Sequence, residues 1–152
     1  MPKTSPWLAA VLAYILSTAL LTVLLSIAAA QFALGALIQI GVAIPFAVRL
    51  ETTLHDIANM WPMLAPIFGT GLLVSLVVAS LIARWVKVLP DLVFALAGFA
   101  AVATTIFAME MALQLSGIVA TRNLDGVIVF SLIGGLSAYA YRQSKLRLTR
   151  DA

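Results

Sequence analysis

Charged residues are absent from four long segments of this chain, and their absence limits the possible folds more than any motif does. The charge-free segments are Thr4–Val48, Ile57–Ala83, Leu92–Met109 and Val127–Tyr141. A helix that crosses a bilayer needs about 20 consecutive residues that are mostly apolar and carry few or no charges. Only 10% of the residues are charged, whereas soluble domains average about 25%. The sequence therefore predicts an all-α integral membrane protein.

The first charge-free segment is too long for a single membrane span. Its 45 residues would form a helix of about 68 Å, more than twice a hydrocarbon core of about 30 Å. The chain must therefore turn within it. Polar or helix-weakening residues occur in its second half at Gln31, Gly35, Gln39, Gly41 and Pro45. We expect the first helix to end near Ala30 and residues 31–60 to form an excursion from the membrane.

An amphipathic pattern occupies the second part of this excursion. Apolar residues recur at helical spacing, and polar residues fill the other faces. The apolar positions are Phe46, Leu50, Leu54, Ile57 and Trp61. Such a helix attached to a membrane protein commonly lies in the interface. We expect a separate interfacial helix over 46–60, ended by Asn59, with Pro62 in the first turn of the next span.

These boundaries predict one four-helix transmembrane domain over residues 1–152, with a basic tail at 142–152. The expected spans are Trp7–Ala30, Trp61–Ala83, Leu89–Ser116 and Leu124–Tyr141. If both termini are cytoplasmic, seven Lys and Arg residues lie inside and two lie outside. This bias agrees with the positive-inside rule. We expect a multi-pass protein of a bacterial inner membrane, with the 46–60 helix on the outer face.

The sequence allows two alternatives to this topology. A fifth span at Phe32–Val48 would move the amino terminus outside and change the count to six against three. A cleaved signal peptide would use Ala28–Ala30 as its cleavage site, but the preceding apolar run exceeds the usual length of about 7–15 residues. We therefore expect four spans and a retained first helix.

Small residues recur at every fourth position of the second span, at Gly71, Ser75, Ala79 and Ala83. Small side chains let helix backbones approach closely in lipid. The stripe predicts either packing within the bundle or an interface with another subunit, and the sequence leaves both open.

Glu110 is the one charged residue that lies inside a predicted span and beyond its first turn, and Gln114 lies one helical turn further on. Acids within a membrane are candidate functional residues because an unpaired carboxylate is costly there. Glu110 falls near the outer boundary, however, so an interfacial ion pair with Arg122 or Arg49 is the competing interpretation.

A second polar group is expected on the outer face, at Arg49, Glu51, His55, Asp56 and Arg122. One histidine and two nearby acids do not make a zinc site. The chain also lacks cysteine and phosphate-binding or haem-attachment motifs, so no metal or cofactor is expected.

The carboxyl-terminal basic residues are expected to contact anionic lipid rather than nucleic acid. They are Arg142, Lys145, Arg147 and Arg150. Asp91 and Asp125 each fall in the first turn of a predicted helix, where a negative charge interacts favourably with the helix dipole. This interaction accounts for both residues.

Three functions remain open at this point. The first is helix-mediated association, with further copies of the chain or with a larger membrane complex. The second is a small oligomeric transporter or channel subunit that uses Glu110 as a proton or cation site. The third is an enzyme that acts on lipid headgroups at the outer face.

Overall fold

The computed structural model describes residues 5–39, 41, 43–85, 89–113 and 124–150, and these ranges contain helices but no strand. The helices are α1 (Pro6–Gln39), α2 (Phe46–Trp85), α3 (Pro90–Leu113) and α4 (Leu124–Arg150). Each is long and apolar enough to cross a membrane. The predicted all-α architecture with four such helices is therefore confirmed.

Each helix packs mainly against two neighbours, so the four form a closed bundle. α1 and α3 lie opposite each other, and both contact α2 and α4. The largest fully buried side chains are Phe68, Phe130, Leu21, Leu25, Leu64 and Leu72. Many large aliphatic side chains instead face outward, including Leu16, Val74 and Leu132, each more than half exposed. A bundle that is apolar both inside and outside suits a lipid environment.

The first helix is longer than predicted, because α1 continues past Ala30 to Gln39. It ends where Gly41 adopts a φ of 88°, and the Gly41 N–H donates to the Ile38 carbonyl at 3.0 Å. A left-handed glycine of this kind is a common helix stop. Gln31 and Gly35 do not end the helix because each lowers helix propensity by no more than about 1 kcal/mol. The alternative fifth span at Phe32–Val48 is wrong, since residues 32–39 belong to α1.

The predicted separate helix at 46–60 is also wrong. α2 runs without interruption from Phe46 through Pro62 and Pro66 to Trp85. Asn59 does not cap a new helix: its Nδ2 donates to the His55 carbonyl at 2.8 Å, within α2 itself. The amphipathic pattern is real, but it belongs to the first turns of one long helix.

The α1–α2 hairpin extends well beyond the other two helices. The Thr105 side chain of α3 lies against Gly71 of α2, so these two positions are level. α3 continues eight residues further to Leu113, whereas α2 continues twenty-five residues in the same direction to Phe46. At about 1.5 Å per residue, α2 projects about 25 Å past the end of α3.

Candidate functional site: a groove between α2 and α3

The outer surface of the bundle contains a groove of about 880 Å³ between α2 and α3. We call it the α2–α3 groove. Small residues form much of both walls, including Gly71 and Ser75 on α2 and Ala97, Ala100 and Ala101 on α3. None of the described residues that line it is aromatic. Because the groove is on the outer surface of the bundle, it would face lipid if the bundle were embedded in a membrane.

The groove forms because small side chains of α2 lie opposite small side chains of α3 where the two helices touch. A Cβ atom on Gly71 would lie 2.5 Å from the Thr105 Oγ1, so α2 and α3 touch there without room for a methyl group. Outside this contact the alanines of α3 leave space that larger side chains would fill. Gly71 and Thr105, which meet at this contact, both line the groove.

The predicted small-residue stripe is divided between two surfaces. Gly71 and Ser75 line the groove, Ala79 is fully buried in the core, and Ala83 packs against that core. Each step of four residues rotates a helical position by about 40°, because one turn takes 3.6 residues. A stripe of four such positions therefore drifts from the groove to the core.

Three of the four hydroxyl-bearing residues in the described lining of the groove bond back to their own helices, and the fourth, Thr104, is exposed. Thr70, Ser75 and Thr105 donate to the carbonyls of Pro66, Leu72 and Ala101, each at 2.8 Å. Side-chain hydroxyls that bond back to the helix offer little to a polar ligand. The chemistry of the groove thus favours an apolar occupant.

The groove follows the helices for most of a membrane's thickness. It reaches from Ile67 to Ile82 on α2 and from Val93 to Ala108 on α3. The two ends are fifteen positions apart on each helix, which corresponds to about 22 Å, against a hydrocarbon core of about 30 Å. No protein-family model, curated protein or solved structure matches the chain. The occupant of the groove is therefore inferred from the length of the groove and from the apolar character of its lining.

Glu110 lies near the carboxyl end of α3 and continues its core-facing row. Phe94, Gly98, Val102 and Ile106 precede it at intervals of four residues and are buried, while Glu110 is half-buried. Beneath it, Ile106 and Val102 are at most 2% exposed and fill the bundle interior. The carboxylate therefore stands above a tightly packed apolar core. The predicted partner Gln114 lies outside the described residues.

The five buried serine and threonine residues of the described core provide no polar path below Glu110. Each hydroxyl donates to a carbonyl three or four residues earlier in its own helix, and the residues are Ser17, Thr22, Ser26, Ser131 and Ser137.

The predicted ion pair between Glu110 and Arg49 is absent, although both residues are described. Glu110 is level with residue 66 of α2, given the contact between Gly71 and Thr105. Arg49 lies seventeen residues further along α2, about 25 Å away. The other predicted partner, Arg122, lies outside the described residues.

Four residues of the predicted outer-face polar group lie on α2, where they are distributed over two faces of the helix. Glu51 and His55 are exposed, whereas Arg49 and Asp56 are half-buried. The half-buried side faces α1, as the hydrogen bond from Gln31 Nε2 to Thr53 Oγ1 at 3.2 Å indicates. In the described ranges, no three His, Asp or Glu side chains come together as metal ligands.

The first turn of α3 and the second half of α4 are joined by an ion pair that was not predicted from the sequence. Arg142 Nη1 donates to Asp91 Oδ1 at 2.6 Å, and Gln143 Nε2 donates to the same oxygen at 3.4 Å. The Arg142 guanidinium also lies 5.8 Å from the centre of the Phe94 ring. No local pattern signals this pair, because its members are 51 residues apart in the sequence.

The basic tail begins as part of a helix rather than as a separate segment. α4 continues past the predicted end of the span at Tyr141 and reaches Arg150. Within it, Arg142 is held by Asp91. Lipid contact by Arg142, Lys145, Arg147 and Arg150 stays a prediction.

Asp91→Asn is expected to lower the free energy of unfolding by about 1 kcal/mol. A hydrogen bond to a charged group contributes about 1.5–3 kcal/mol, and solvent reduces this because the Asp91 side chain is 49% exposed. Asp125→Asn is the matched control, since Asp125 also lies in the first turn of its helix but forms no ion pair with the described residues. Unfolding in detergent with rising dodecyl sulfate would measure both variants. Equal losses would show that the ion pair contributes nothing beyond the helix dipole.

Proposed function

We propose that the protein acts by helix-mediated association in the membrane, as a homo-oligomer or as a subunit of a larger membrane complex. In this proposal the α2–α3 groove receives a transmembrane helix of another subunit. The observation that carries the proposal is the groove itself, which is about 880 Å³ in volume and is walled largely by small residues. Small residues at such a surface let a second helix approach closely enough for strong van der Waals contact.

The length of the groove favours a helix over a lipid chain as its occupant. A lipid chain belongs to one leaflet and reaches about half of a hydrocarbon core of about 30 Å. The groove continues for about 22 Å along both helices, so it passes the midplane. A transmembrane helix can fill it from end to end.

The same proposal includes the membrane in which the protein resides and the side on which its termini lie. Seven Lys and Arg residues on one side and two on the other favour cytoplasmic amino and carboxyl termini. We place the protein in a bacterial inner membrane, with the projecting α1–α2 hairpin on the outer face.

The two other functions have less support. A pore at a subunit interface would need Glu110 to face a neighbouring chain, yet Glu110 continues the core-facing row of α3. A headgroup enzyme would need its polar side chains to converge, yet Glu51 and His55 differ in exposure from Arg49 and Asp56. Helix-mediated association requires neither arrangement.

Ala100→Trp tests the proposal by filling the groove from its exposed edge. Ala100 lines the groove and is exposed, so the indole can occupy the groove without displacing the core. We expect gently extracted protein to run as a complex, and the variant to fall to the 16.1 kDa single chain in intact-mass measurements. Leu132→Trp is the control, because Leu132 is 59% exposed on α4, away from the groove.

Two results would overturn the proposal. One is a native protein that already extracts as a single chain with no companion. The other is an Ala100→Trp variant that keeps its full complex mass. Thermal unfolding of both tryptophan variants checks that neither has lost its fold.

A further inference from the structure

A second cavity, of about 390 Å³, lies along the inner half of α4. We call it the α4 pocket. The described residues that line it all come from α4, and they are Leu136, Tyr139, Ala140, Gln143, Ser144 and Arg147. These positions alternate spacings of three and one, so they share one face of the helix. The pocket is separate from the α2–α3 groove.

The lining of the α4 pocket changes in chemistry along the helix. Leu136 and Ala140 lie nearest the middle of the span, and the Tyr139 phenol lies beside them. Gln143 and Ser144 follow, and Arg147 comes last. Leu136 and Arg147 are eleven positions apart, a distance of about 16 Å along the helix axis. A phospholipid presents its parts in the same order, from acyl chain through glycerol to phosphate.

Arg147 is the one charged residue among the described side chains that line the pocket. Arg142 is held by Asp91, and the Lys145 Nζ lies 5.8 Å from the centre of the Tyr141 ring. Arg147 is exposed and has no ion pair within the ranges that the structure describes. The sequence from Gly126 to Ala152 contains four basic residues and one acidic residue, Asp151. This part of the chain therefore carries a net positive charge.

We propose that the α4 pocket binds an anionic phospholipid, with its phosphate on the Arg147 guanidinium. The Ser144 and Tyr139 hydroxyls supply further donors, and one acyl chain runs along Leu136 and Ala140. A planar guanidinium is well suited to phosphate because it can donate two parallel hydrogen bonds. Lys145 and Arg150, close in sequence, favour a headgroup with net negative charge over a zwitterionic one. The proposal does not depend on what fills the α2–α3 groove.

Native mass measurement of the full chain with added lipid tests this proposal. Phosphatidylglycerol is the anionic probe, and phosphatidylcholine is the zwitterionic comparison. We expect one phosphatidylglycerol to stay bound preferentially, and Arg147→Gln to weaken its binding about fivefold, the effect of one basic residue near an anionic surface. Arg84→Gln is the control, since it removes one exposed charge from the inner end of α2 without touching the pocket.

Two other results would contradict the lipid site, and each has its own signature. Equal weakening by Arg84→Gln and Arg147→Gln would mean general charge attraction and would overturn the site. Release of the lipid by inorganic phosphate at equal concentration would assign the pocket to free phosphate instead. Ala100→Trp should leave lipid binding unchanged, so failure of the association proposal and failure of this one can be told apart.

Discussion

Gly98→Ala is expected to destabilise the bundle by about 1–3 kcal/mol or more, the usual cost of overpacking a core. A Cβ atom on Gly98 would lie 2.5 Å from the Ala138 Cβ and would also overlap the Gly134 carbonyl oxygen. Both obstacles are rigid, because one is backbone and the other is bonded directly to it. α3 and α4 would have to separate to admit the methyl group. This cost exceeds the gain of about 0.5–1 kcal/mol that alanine brings to a helix interior.

Gly35→Ala is the matched control for this substitution. Gly35 also lies within a helix, but no side chain or other neighbouring atom lies within 4 Å of its Cβ position. Alanine there should be neutral or stabilising by up to about 1 kcal/mol. Circular dichroism during unfolding by dodecyl sulfate would measure both variants. Similar stability changes in the two would contradict the close crossing of α3 and α4.

Helix number was predictable from the sequence, whereas the helix ends were not. Charge-free segments identify apolar helices reliably because a charge in lipid is costly. The turn after α1 depends on which weak helix former stops the helix, and the sequence offers Gly35 and Gly41 alike. Only Gly41 takes a positive φ. Pro62 was misleading for a related reason, since a long apolar helix can continue through a proline.

The contacts between helices could not be predicted because they depend on which surfaces meet. The small-residue stripe of α2 was visible in the sequence, but its division between groove and core was not. The close contact of Gly98 with Gly134 pairs two glycines on different helices, and neither is marked by a long stripe. The ion pair of Asp91 with Arg142 likewise exists only once α3 and α4 are side by side. The groove appears for the same reason, because alanines of α3 lie opposite small residues of α2.

Cysteines placed together at Gln31 and Thr53 are expected to cross-link almost completely. The Gln31 Nε2 lies 3.2 Å from the Thr53 Oγ1, so the two side chains meet across the α1–α2 hairpin. The chain contains no cysteine, and the double variant Gln31→Cys, Thr53→Cys therefore has no background reaction. A short bifunctional thiol reagent applied in the membrane would report the link as an electrophoretic shift after proteolysis between the two positions.

The control pairs Gln31→Cys with Leu54→Cys. Leu54 is the next residue along α2, but it is turned about 100° around the helix and is 59% exposed. An α2 that continues straight against α1 makes the Thr53 pair react and the Leu54 pair stay largely unlinked. A helix over 46–60 lying flat in the interface would carry both positions away from Gln31, so neither pair would react. The comparison therefore distinguishes a projecting hairpin from an interfacial helix by the face of α2 that meets α1.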